Sequence, residues 1–92
     1  MPPKKPDCLK VAASSHPNSV ASAIVSFYEE GMHPVPLVAI GAGAVNQMVK
    51  AVCIARGRMA QKGRDMYFTC GFSEEEQKGE YKTGIRIYVW VK

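Results

Sequence analysis

Asn46, Gln47 and Lys50 follow closely on Gly41-Ala42-Gly43, and Ser14, Ser15, His16, Asn18 and Ser19 crowd into an earlier stretch of the chain. These are hydrogen-bonding side chains with one ammonium group, the chemistry of holding an anion or a polar base. The apolar run Val38-Ala39-Ile40 leads into the glycines, and a helical pattern leaves them. A strand–glycine–helix junction points backbone N–H groups and the positive end of the helix outward, which suits a phosphate. The glycines serve a plain tight turn equally well. The second-glycine spacing of a dinucleotide fingerprint and the Gly-Lys-Ser/Thr of a nucleotide phosphate loop are both missing, so no nucleotide cofactor is expected.

Arg56, Arg58, Lys62 and Arg64 form a second group. Cations at a helix C-terminus offset its dipole, but four in nine residues exceed that need and fit phosphate contact. Lys82, Arg86, Tyr88 and Trp90 alternate on one face of a strand. Such a face suits base stacking or a subunit interface. Neither His16 nor His33 has a partner at the spacing of a nucleophilic triad, and the protein is expected not to be an enzyme. Cys8, Cys53 and Cys70 are three in number, widely spaced and set in apolar runs. They fit reduced core residues in a cytoplasmic protein and exclude a metal site of ordinary ligand spacing.

The elements that must carry these groups follow from periodicity. Residues 8–13 alternate as a first strand with Leu9, Val11 and Ala13 inward. Pro17 pre-sets a helix over 18–30, with His16 or Asn18 as cap and Gly31 as stop. Residues 35–40 form a buried strand, 41–43 a glycine hinge and 44–59 a second helix. Residues 66–72 form a third strand, 74–80 a polar connection and 81–91 a last strand. The order β-α-β-α-β-β implies a two-layer α/β sandwich with helices on one sheet face. Parallel first and second strands then bring the 14–19 loop beside the 41–43 hinge, because their C-terminal ends share one side.

A chain of 92 residues has room for one domain, expected over 8–92, behind a flexible basic arm over 1–7. No apolar run is long enough for a membrane span. Net charge is +4, a mild lean toward polyanions.

The chain resembles the stage V sporulation protein S family from Leu9 to Val91. Two gap-free runs carry the resemblance. Leu9-Lys10-Val11 leads to Ser15-His16-Pro17-Asn18-Ser19-Val20-Ala21. Ile40-Gly41-Ala42-Gly43-Ala44-Val45-Asn46-Gln47 leads to Val49-Lys50-Ala51-Val52 and Ile54-Ala55-Arg56-Gly57. The resemblance implies an Alba-like fold and a small cytoplasmic nucleic-acid binder; bacterial members act in spore development. The more distant Alba chromatin proteins form dimers and bind DNA or RNA. Asn18 matches their asparagine, and Arg56 and Arg58 match a basic pair. Ala13 and Ser14 stand where they carry lysines, Ala42 and Ala44 where they carry arginines, and three glutamates fall in what is there a basic hairpin.

The expectation is therefore an Alba-like homodimer that binds DNA or RNA without catalysis, cofactor, metal or membrane. Ser14, Ser15, Asn18, Gly41, Gly43, Asn46, Gln47 and Lys50 make its polar site, and Arg56, Arg58 and Lys62 add charge. The alternatives are a structural or interaction subunit docking through the Tyr88/Trp90 face, and a small-anion sensor at the hinge.

Overall fold

The computed structural model describes residues 8–92. Its elements are β1 (Leu9–Val11), α1 (Pro17–Glu29), β2 (Val35–Ala39), α2 (Ala42–Gln61), β3 (Met66–Gln77) and β4 (Glu80–Val91). This is the β-α-β-α-β-β order of the Alba-like two-layer sandwich. The expected arm over 1–7 lies outside the described residues.

The strands form one sheet in the order β1-β2-β4-β3. β1 and β2 are parallel, with Leu9 opposite Leu37, Lys10 opposite Val38 and Val11 opposite Ala39. β4 runs antiparallel to β2 on one side and to β3 on the other. Alternate strand residues Val11, Val35, Leu37, Ala39, Ile87, Val89 and Val91 point into the core. Ala21 and Ile24 of α1 meet them, with Ala44, Met48, Ala51, Val52, Ala55 and Met59 of α2. Three alanines on the buried side of α2, Ala44, Ala51 and Ala55, leave little bulk between it and its neighbours, so the helix layer lies close to the sheet.

Several boundaries differ from the expectation. β1 spans three residues, because Ala12 and Ala13 turn away and are exposed. Pro17 opens α1, but His16 at the N-cap makes no side-chain capping bond. α2 starts at Ala42, so the hinge contracts to Gly41. The expected connection over 74–80 is instead the end of β3 and the start of β4. Lys78 and Gly79 alone make the turn, with φ of 53° and 79°. A two-residue turn with both φ positive matches the right-handed twist of the flanking strands, so pairing continues to its base. Glu75 lies opposite Lys82 in that extension.

His33 fastens the far end of the sheet. Its Nε2 accepts the Val91 N–H at 2.9 Å. Its ring stands edge-on to Tyr28 at 5.5 Å and to Trp90 at 5.7 Å. One loop side chain thus joins α1 to the last strand. His33→Ala leaves the Val91 N–H without its acceptor and is expected to cost about 1–3 kcal/mol, read by urea denaturation; His16→Ala, at an exposed position with no capping bond, is expected to change stability far less.

Candidate anion site at the helix N-termini

Because β1 and β2 run parallel, α1 and α2 begin at the same end of the sheet. The first-turn N–H groups of a helix have no intrahelical acceptor. The first α-helical bonds here run from the Val20 N–H to His16 and from the Val45 N–H to Gly41. Neither first turn contains an acidic residue. Two positive helix ends therefore face out together.

The loop after β1 is locked to α2. The Ser15 hydroxyl accepts the Ala12 N–H at 2.8 Å, and the Ser15 carbonyl accepts a bond from the Gln47 side-chain amide at 3.0 Å. At Gly43 an added Cβ would lie 3.2 Å from the Ala13 Cβ, so helix and loop are in close contact there. Ser14, Asn18, Gly41, Gly43 and Asn46 are exposed around this junction, and Lys50 is exposed one turn beyond Asn46. Ser15 and Gln47 hold the frame, while Asn18, Asn46 and Lys50 present polar groups outward.

The basic residues occupy other ground. A 20-residue helix is about 30 Å long, so Arg56 and Lys62 lie well away from Gly41. Arg56 pairs with Asp65 at 3.3 Å and Lys62 with Glu29 at 3.2 Å. Arg58 donates to the Ser22 hydroxyl at 2.8 Å, and that hydroxyl donates to the Asn18 carbonyl at 3.1 Å. Through Ser22, Arg58 is linked along the helix seam to the N-terminal group. Arg56 and Lys62 are not.

The β3–β4 hairpin forms the opposite wall. A cavity of about 340 Å³ lies between Lys10, Ala12, Ala13 and Ile40 on one side and Glu75, Glu76 and Gln77 on the other. Arg86 takes up Glu75 at 3.4 Å, with both side chains largely buried. Burial works against the Arg86 charge, but Cys8, Tyr88 and Glu75 outweigh it and hold the guanidinium above its ordinary pKa. Arg86 thus neutralises one of the carboxylates nearest the site. Among the described residues no cluster of His, Cys, Asp or Glu is arranged to hold a metal ion. No described helix is long and apolar enough to cross a membrane.

Sequence reasoning missed Glu75 as a wall of the site and Tyr67 as the cross-strand partner of Trp90. The signal for Glu75 was Gly79, the turn residue that lets β3 continue through the glutamates. Gly41 is the position on which the junction turns. Its φ of 92° and ψ of 154° lie in a region essentially restricted to glycine, with open space around it. Gly41→Ala is expected to destabilise the fold by about 1–3 kcal/mol. Gly57→Ala, inside α2 with nothing near its Cβ position, is expected to stabilise it by about 0.5–1 kcal/mol. Thermal unfolding of both variants checks the pair.

The family model described as Stage V sporulation protein S (SpoVS) matches residues 7–92, a range that takes in the parallel strand pair, both helices and the whole hairpin. On a match of that extent the chain belongs to the stage V sporulation protein S family.

Proposed function

We propose that the protein is a non-enzymatic, sporulation-related regulator that binds nucleic acid in the cytoplasm. The observation that carries the reading is the pairing of two helix N-termini, free of acidic first-turn residues, with exposed Asn18, Asn46 and Lys50 around them. Phosphate oxygens accept from backbone N–H groups and ammonium; asparagine amides can also meet base edges. Arg56 and Lys62 add attraction at little cost, since exposed ion pairs are worth only about 0–1 kcal/mol and can exchange a carboxylate for a phosphate. Fluorescence anisotropy with labelled single-stranded and duplex DNA and RNA at low salt is expected to detect binding. The Lys50→Ala, Arg56→Ala double variant is expected to bind more weakly, with its salt slope reduced by about one per cation removed. Absence of binding to all four ligands, or a double variant indistinguishable from the parent, contradicts the reading.

The regulator is further proposed to be a homodimer. Among the described residues β3 is an edge strand of 12 residues with no partner on its outer side. Phe68 and Phe72 lie opposite Val89 and Ile85, on the helix-bearing side of the sheet, yet Phe72 is 84% exposed and Phe68 41%. Its first seven residues, 66–72, carry the exposed apolar groups, and an exposed apolar strand edge is a protein-contact signature. Light scattering is expected to give a dimeric mass, and Phe72→Lys a monomeric one; a monomeric parent chain at micromolar concentration contradicts the assignment.

A further inference from the structure

The sheet face opposite the helices carries an ordered pattern of rings and cations. Residues paired across strands share a face, so the register defines three rows. Tyr67 lies opposite Trp90; Thr69, Tyr88 and Pro36 form the next row; Arg86, Val38 and Lys10 form the third. Tyr67 is 47% exposed and Tyr88 37%, and Lys10 is exposed, whereas Val38 and Cys8 on the same face are buried. What solvent meets over these rows is the rings of Tyr67 and Tyr88 and the Lys10 ammonium, while Arg86 is paired with Glu75 on the same face.

Resting on the nucleic-acid reading above, we propose that this face is a stacking platform for single-stranded nucleic acid, with Tyr67, Tyr88 and Trp90 as its rings. Residues two apart on a strand are about 6.6–6.8 Å apart, twice the ~3.4 Å rise of stacked bases in a duplex. Bases on successive rows must therefore be splayed, which single strands allow and an intact duplex does not. The Trp90 ring is already positioned. Its indole N–H donates to the Thr69 hydroxyl at 3.3 Å, and His33 meets the ring edge-on. Lys10 lies one row from Tyr88, within reach of the backbone phosphates of a strand whose bases occupy the rings, while Arg86 in the same row is tied to Glu75. Lysine is depleted in protein–protein interfaces, so its presence favours a polyanion over a protein here.

The chain has a single tryptophan, and it sits on the platform. Titration with labelled oligouridine and oligothymidine is expected to raise the anisotropy of the label and, in step, to quench Trp90 emission. The Tyr67→Ala, Tyr88→Ala double variant is expected to bind single strands about tenfold or more weakly, while Tyr67→Phe with Tyr88→Phe retains binding. Circular dichroism of each variant confirms the fold. If single strands bind while Trp90 emission and the double-alanine variant stay unchanged, the platform is overturned and the nucleic-acid reading survives. Binding of duplex alone has the same meaning. If no nucleic acid binds, both fall. If the double-alanine variant changes only the mass of the protein in light scattering, the face is a protein contact and the proposal is overturned.

Discussion

The three-residue ladder between β1 and β2 governs the geometry of this molecule. A parallel pair cannot be joined by a tight turn, so the chain must cross over the sheet, and α1 is that crossover. β2 then ends where β1 ended, and α2 starts where α1 started. The loop after Val11 and the turn at Gly41 become neighbours, and Gln47 can reach Ser15 across 32 positions of sequence. An antiparallel β1 would place the two helix N-termini at opposite ends, and the composite junction would not exist.

The electrostatic design is restrained. The cations at the end of α2 are partnered within the chain: Arg56 by Asp65, Lys62 by Glu29 and Arg58 by the Ser22 hydroxyl. The hairpin sets Glu75 and Glu76 opposite the junction, and Arg86 answers only the first by an ion pair. Two helix dipoles and a set of amides thus act beside carboxylates rather than within a basic field. Such a surface discriminates by hydrogen-bond geometry more than by bulk charge.

Much of this architecture was legible in the residues. The β-branched run from Val35 to Ile40 and the alternation from Thr83 to Val91 announce strands, and Val20, Ile24 and Phe27 mark a helix face. The strand over Glu74–Gln77 was hidden for a physical reason. Glu74, Glu76 and Gln77 are exposed, so this stretch displays no apolar alternation, and its turn is Lys78-Gly79 rather than a stronger hairpin dipeptide. The hinge is narrower than the glycine spacing suggests, because Gly43 is helical and packs closely against Ala13, leaving Gly41 alone to turn the chain. The approach of the 14–19 loop to the 41–43 hinge follows from topology. The Ser15–Gln47 bond and the acidic partners of Arg56 and Lys62 do not, since they depend on side-chain directions and on contacts up to 33 residues apart.

Backbone amide resonances offer the most direct test that the helix N-termini form the anion site. In a 1H–15N spectrum followed during addition of a short single-stranded oligonucleotide, the amides of Asn18, Ser19, Ala42 and Gly43 are predicted to shift with the saturation of binding. Saturable binding with those four amides unmoved, and shifts confined to the Arg56–Lys62 end of α2, would contradict the account.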